Sequence, residues 1–292
     1  MNRPGVERYT WPEMRRYWET HHALRANVDW SNDPDGLDNV CHAGGPAWLN
    51  AYYARWQRDV YRALLSLLPD GTGRRALEVG CGAGRWCRLL FEHGYEVTGI
   101  DLQRALISHN REQHPAMDFH CCSLQEYEPD TPFHLVSSVT VLQHIPFGEQ
   151  IPAVQKVRST LIGGGHAIVL ENIRDQAAHV FSRSIADWID LFVGERFEVV
   201  TVRRYDYNPT LRAIGLGRRL GRRVLRRSNG TGSSALNRGE IGDSPKSMHS
   251  TRPSVALAQR VAVSVDSRLE TPLVRRNVRL PTVHAGLLFR AV

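Results

Sequence analysis

The run Ala76-Leu77-Glu78-Val79-Gly80-Cys81-Gly82-Ala83-Gly84-Arg85-Trp86 constrains the chain more than any other. A short apolar stretch of β character ends in three glycines at alternate positions, and a helical pattern opens directly after them. Glycine lets a backbone turn tightly and lets a ligand approach without a Cβ in the way. Such a strand-to-helix turn belongs to an open α/β sheet, at the carboxyl edge where ligands of these sheets bind. The spacing narrows the ligand further. Gly80, Gly82 and Gly84 form Gly-x-Gly-x-Gly with arginine at 85, whereas a pyrophosphate loop needs Gly-x-Gly-x-x-Gly before an open helix N-terminus. Asp101 closes a second strand 17 residues after Gly84. A carboxylate there can accept hydrogen bonds from both hydroxyls of a ribose, and Leu102 can cover one face of an adenine.

Short apolar runs at 75–79, 96–101, 118–122, 135–139 and 166–172, bounded by Gly, Asp, Pro or Ser, read as buried parallel strands. Helical patterns lie between them at 85–93, 103–113 and 149–161. Alternation of this kind predicts a doubly wound sheet with right-handed crossovers. Residues 46–68 have the length and apolar spacing of an amphipathic helix that precedes the unit. Residues 196–205 and 284–292 add a sixth and a seventh strand. The long stretch between these two holds an Arg-rich helix at 211–227, a Gly/Ser-rich linker at 228–252 and a helix at 254–269.

The residues at 78–84, 95–101 and 133–145 resemble, in that order, the first, second and fourth motifs of the class I S-adenosylmethionine-dependent methyltransferases. The resemblance spans about 75–172. It implies an α/β fold with a seven-stranded, mostly parallel sheet whose last strand is antiparallel between the fifth and sixth, the place 284–292 would take. An N-terminal helical lid (1–70), a cofactor domain (71–205), a basic helical insert (206–283) and the final strand (284–292) are the expected organisation. S-adenosyl-L-methionine is the cofactor implied, held by Glu78, Gly80, Cys81, Gly82, Asp101, Leu102, Ser123, Leu124 and Val139. The family usually has an acidic residue against the adenine amino group where this chain has Ser123 and Leu124; a hydroxyl or backbone group can still hydrogen-bond there.

Methyl transfer from a sulfonium is an in-line displacement dominated by alignment, which can supply on the order of 7–11 kcal/mol. A base helps a hydroxyl acceptor by roughly 10²–10⁴. His144 beyond the fourth strand and Glu171 at the end of the fifth are the catalytic candidates, because both lie at the carboxyl edge; the alternative for His144 is simply to hold its loop. His21 and His22 are further candidates, and Tyr52, Tyr53 and Arg55 could reach the methionine carboxylate. No metal is expected. Asp33-Pro34-Asp35-Gly36-Leu37-Asp38 lacks the glutamate that closes a twelve-residue calcium loop and reads as a turn.

Five of the seven tryptophans (Trp11, Trp18, Trp30, Trp48, Trp56) fall in the first 56 residues. They either pack the N-terminal helices on the sheet or form an aromatic lid over the acceptor. The formal charge of +7 is uneven: residues 1–210 carry 21 basic and 26 acidic side chains, residues 211–292 carry 16 and 4. Nucleic acid is therefore an unfavoured partner, since the cofactor region is acidic. Arg218, Arg219, Arg222, Arg223, Arg226 and Arg227 recur at four-residue intervals opposite Leu216, Leu220 and Val224. That face is either merely solvated or meets an anionic membrane surface or a phosphorylated or lipid-linked substrate. Five cysteines without a Cys-x-x-Cys pair, no secretion signal and no span of roughly 20 apolar residues point to a cytoplasmic protein, peripheral to the membrane at most. The expected activity is O-methylation of a small sugar-bearing, glycolipid or secondary-metabolite acceptor. An RNA methyltransferase, a membrane-surface protein with a vestigial cofactor fold and a nicotinamide-dependent dehydrogenase are the other readings.

Overall fold

The structure is a computed structural model that describes residues 8–21, 33, 35–37, 47–174, 176–210 and 253–292. Trp30, His22, the Arg218 to Arg227 run and the 228–252 linker lie outside the described residues.

Helices α1 (Trp11–His21) and α2 (Ala47–Leu65) precede the sheet. There follow β1 (Arg75–Val79), α3 (Arg85–Glu92), β2 (Glu96–Asp101), α4 (Arg104–Gln113), β3 (Asp118–Cys121) and β4 (Phe133–Val139). A 3-10 turn at Leu142–His144 leads to α5 (Phe147–Thr160) and β5 (Leu161–Asn172). A two-stranded hairpin, β6 (Gln176–Ala177) and β7 (Val180–Phe181), comes before α6 (Ile185–Gly194) and β8 (Phe197–Tyr205). Helix α7 (Pro253–Arg275) and strand β9 (His284–Ala291) complete the chain.

The sheet order is β3-β2-β1-β4-β5-β9-β8. The strands β1 to β5 pair in parallel, and β9 runs antiparallel between β5 and β8. This is the seven-stranded topology that the sequence implied. Its order reverses beside β1, and the glycine turn leaves the sheet at that switch point.

Both faces are covered, as the near-continuous apolar strands require. On one face Trp56, Val60, Tyr61 and Leu64 of α2 pack with Trp86 and Leu288. Their spacing places them on one stripe of the helix. On the other face Trp188 and Phe192 of α6 meet Phe289, whose ring stacks on Phe192 at 4.2 Å between centroids. Gly286 lets α2 press on β9: a Cβ there would lie 2.8 Å from Val60 Cγ1.

Three differences from the sequence reading stand out. Strand β5 starts at Leu161 rather than 166, because the pairing with β4 continues past an irregularity at Gly164, whose φ is +75°, with a register shift opposite β4. Helix α7 runs to Arg275, past Pro272. The hairpin at 176–181 carries too short an apolar pattern to be read as strands.

Candidate active site

The glycine turn has a left-handed backbone at Gly80 (φ +66°), Gly82 (+51°) and Gly84 (+74°). A Cβ on Gly80 would stand 2.4 Å from Val141 Cγ2, so a side chain there is excluded twice over, by φ and by space. Asp101 ties this turn to the next. Gly82 N–H donates to Asp101 Oδ2 at 2.9 Å and Gln103 N–H donates to Oδ1 at 2.9 Å. Desolvation pushes the Asp101 carboxyl up from its ordinary range, and the backbone donors pull it back. Asn110, buried on α4, holds the turn from below by donating to the Gly82 carbonyl at 2.8 Å. The sequence reading missed Asn110; a polar residue on the apolar face of α4 was the available signal.

Under the turn lies a buried polar group of residues. Glu78 is fully buried, and neither of its oxygens has a hydrogen-bond partner among the described residues. Burial pushes its carboxyl up to about 8, with Ser137 and Arg85 nearby opposing the shift. Arg85 itself donates to Gln57 Oε1 at 2.9 Å and lies over the Trp86 ring. Tyr61 O–H donates to Ser137 Oγ at 2.8 Å. A carboxyl whose folded pKa exceeds its unfolded one favours the protonated native state. Its contribution is complete below the unfolded pKa of 4.5 and is lost as pH rises toward about 8. Glu78→Gln is therefore expected to raise Tm above neutral pH, by several degrees at pH 8.5, and to leave it nearly unchanged at pH 5. Thermal melts of the ligand-free protein at the two pH values check this; a Tm difference that does not depend on pH excludes a titrating Glu78.

Beyond β4 the chain bends at Thr140, whose φ is +57°. Glu171 holds this bend. Its Oε1 accepts from Val141 N–H (3.3 Å) and Leu142 N–H (3.0 Å), and its Oε2 accepts from Gln143 N–H (3.0 Å). Burial pushes this carboxyl up to about 8 against those three donors. Both oxygens hold backbone N–H groups, so Glu171 anchors the loop. His144 is engaged as well. Its Nδ1 lies 2.7 Å from the His179 carbonyl and therefore carries the proton, while Nε2 lies 3.2 Å from the Gln143 amide. Gln143 Oε1 accepts from Asn172 N–H at 2.6 Å, which orients its amide nitrogen toward His144. Burial lowers the His144 pKa to about 4. The geometry thus favours the loop-holding alternative for His144 over catalysis.

Helix α1 crosses above this loop. Trp18 packs edge-on against His144 at 4.7 Å, and Tyr17 stacks on His179 at 5.2 Å. Arg15 pairs with Glu126 at 2.6 Å, and Glu126 in turn accepts from Ser123 N–H and Oγ–H. Ser123 is thus occupied in capping its own turn, beside buried Leu124. Val139 is buried at the end of β4, and Leu102 follows Asp101 half-buried. Cys81 is buried between Asn110 and Cys87, and burial together with Cys87 raises its thiol pKa. Arg55 lies over Trp56, and Tyr53 packs beside Tyr52. Trp56 is core, while Trp18 packs on the loop after β4.

A second polar group at the same edge escaped the sequence reading. Past the end of β8, Asp206 Oδ2 lies 2.8 Å from His284 Nδ1, and Asp206 Oδ1 accepts from Asn208 Nδ2. Tyr52 O–H donates to Asn208 Oδ1 at 2.7 Å. Glu270 of α7 accepts from Tyr207 N–H and Asn208 N–H, and Asp266 accepts from Thr210 N–H. The run Tyr205-Asp206-Tyr207-Asn208 after a strand was a visible signal, but its meeting with His284 requires the β8–β9 pairing. A separate surface depression lined by Arg75, Phe91, Glu96 and Asp118 opens at the amino ends of the strands, the opposite edge.

Residues 76–165 match the family described as a methyltransferase domain. Over these residues the chain is similar to a methyltransferase domain. Its sheet order, glycine turn and Asp101 are the features that the domain shares with the resemblance drawn from 78–84, 95–101 and 133–145. Among relatives, the ubiquinone biosynthesis O-methyltransferase of Bradyrhizobium diazoefficiens is 34% identical over 125 residues, 41% of this chain and 49% of that protein. That of Xanthomonas campestris pv. campestris strain B100 is 28% identical over 57% of this chain and 65% of its own length. A malonyl-acyl-carrier-protein O-methyltransferase of Pectobacterium atrosepticum is 38% identical over 22% of the chain and 25% of its own length. The chain spans about half the length of the first of these relatives. Among solved structures, the 4+2 cyclase SpnF superposes with a TM-score of 0.55 at 16% identity, over 99% of both chains. Magnesium protoporphyrin IX methyltransferase of Synechocystis PCC 6803, with bound SAM, gives 0.50 at 15% identity over 65% of this chain and 89% of its own. These likenesses concern the fold of the methyltransferase domain. No helix among the described residues is long and apolar enough to cross a membrane.

Proposed function

We propose that the chain is an S-adenosylmethionine-dependent methyltransferase that transfers to the oxygen of a small hydroxyl-bearing acceptor: sugar-bearing, glycolipid or secondary-metabolite. The observation that carries the cofactor is Asp101, a half-buried carboxylate that organises a Cβ-free glycine turn at the switch point of the sheet. The residues present fit the group. Asp101 would take the ribose hydroxyls, the turn at Gly80 and Gly82 would pass beneath the methionine portion, and the unpartnered Glu78 carboxyl would meet positive charge. When bound, the cofactor supplies an activated methyl. What the chain adds is alignment and exclusion of water by α1 and the Glu171-anchored loop. Oxygen as the accepting atom is supported by the names of the relatives.

The basic contact expected of residues 218–227 stays part of this proposal. Helix α7, later in the sequence, exposes Leu257, Val261, Val265 and Leu269 at four-residue spacing, as a lipid-linked acceptor would suit.

The test is transfer of labelled methyl from S-adenosylmethionine to catechol, a methyl glucoside, a glycolipid in detergent and an RNA oligomer. Label on oxygen of one of the first three is expected, insensitive to moderate salt. Label in RNA alone, with transfer that collapses as salt rises, overturns the acceptor class. Binding without any transfer favours a non-methylating use of the fold, as in the cyclase whose structure the chain resembles.

A further inference from the structure

We propose that His284 is the general base for the acceptor hydroxyl, positioned by Asp206. The inference rests on the O-methyl reading and deepens it.

Three observations lead there. The candidates from sequence are engaged in holding the loop: both Glu171 oxygens accept backbone N–H groups, and both His144 nitrogens have partners. His284 is held at one nitrogen only. Its Nδ1 faces Asp206 Oδ2 at 2.8 Å, which fixes Nδ1 as the protonated nitrogen, and its Nε2 has no partner among the described residues. The side chain keeps 15% of its surface exposed while that of Asp206 keeps 4%, so the carboxylate is sequestered and the imidazole tip is reachable.

The scaffold is built to hold this geometry. Asp206 (φ +64°) and Asn208 (φ +44°) have left-handed backbones, a conformation that stands only when neighbours enforce it. Enforcement comes from α7 through Glu270, from α2 through the Tyr52–Asn208 hydrogen bond, and from the Tyr205 ring, which stacks on His284 at 5.4 Å. The titratable and charged groups around the imidazole are Tyr205 from β8, Asp206 just past its end, Glu171 from β5, Tyr52 from α2, Glu270 and Asp266 from α7, and Arg85 beyond Tyr205.

Position agrees with the role. In the sheet His284 pairs with Asn172 on β5 and with Tyr205 on β8, at the carboxyl edge. It stands two strands from Val139 of β4. In the step, the acceptor O–H proton passes to His284 Nε2 as the oxygen lone pair forms the new carbon–oxygen bond. The carbon–sulfur bond breaks, its electron pair stays on sulfur, and the imidazolium returns the proton to water.

The experiment uses the hydroxyl acceptor that the labelled-methyl panel identifies. His284→Gln is expected to lower kcat by roughly 10²–10³, with the acceptor KM and the affinity for S-adenosylhomocysteine changed less than about threefold, and to abolish the rise of kcat with pH seen in the parent protein. Asp206→Asn should lower kcat by about tenfold or more through loss of the oriented tautomer. His284→Ala should regain activity with added imidazole. Circular dichroism confirms that each variant is folded, and an NMR titration of the His284 imidazole in the parent and in Asp206→Asn, which needs no acceptor, reads the coupling of the pair. A His284→Gln protein that keeps the rising pH limb, or loses cofactor affinity along with kcat, overturns the assignment. A parent protein that methylates no hydroxyl overturns the O-methyl reading itself, with the base.

Discussion

Asp101→Ala is expected to lower the affinity for S-adenosylhomocysteine by about 100-fold or more in calorimetry. Two losses combine. The carboxylate oxygens hold the Gly82 and Gln103 N–H groups, so the variant leaves both turns without their acceptor. The remaining lone pairs of the same oxygens are the ones offered to the ribose. Hydrogen bonds to a charged partner contribute about 1.5–3 kcal/mol each, and two of them amount to ~3 kcal/mol or more. At about 1.4 kcal/mol per decade that is two decades of Kd. Asp101→Asn keeps one acceptor oxygen and loses the charge; a fall of about tenfold is expected. Unchanged affinity in Asp101→Ala would place the cofactor elsewhere on the sheet.

What could be read from sequence shares one property: the interacting residues are close in the chain or repeat with a regular period. The glycine turn, the Asp101 strand end and the alternation of strand and helix all satisfy it, and the sheet order followed. What could not be read depends on pairs distant in sequence. Glu171 looked like a strand-end base because nothing in the sequence says that the backbone after Thr140 folds back onto it from some 30 positions upstream. Asp206 and His284, 78 positions apart, meet only because β9 inserts antiparallel beside β8. Arg15 reaches Glu126 across 111 positions, so the link between α1 and the turn after β3 was equally hidden. Composition showed aromatic residues gathered near the N-terminus, without saying that Trp18 would pack on the loop while Trp56 entered the core.

Removing residues 284–292 is expected to leave no soluble folded protein. Strand β9 pairs with β5 along one side and with β8 along the other, so its loss opens two hydrogen-bonding edges inside the sheet. Leu287, Leu288 and Phe289 are fully buried, two facing α6 and one facing α2. At about 1.5–3 kcal/mol per large apolar side chain their burial contributes ~5–9 kcal/mol, which is comparable with the whole stability of a typical domain. Soluble yield and far-UV circular dichroism of the truncated chain are the measurements. A soluble, folded truncate would mean that β5 and β8 can stand apart, and the sheet order would have to be abandoned. The proposed base would go with it, because His284 reaches Asp206 only as the first residue of β9. The strand that completes the sheet is also the one that brings the imidazole to its carboxyl edge, so in this chain the fold's last structural requirement and its proposed chemistry rest on the same nine residues.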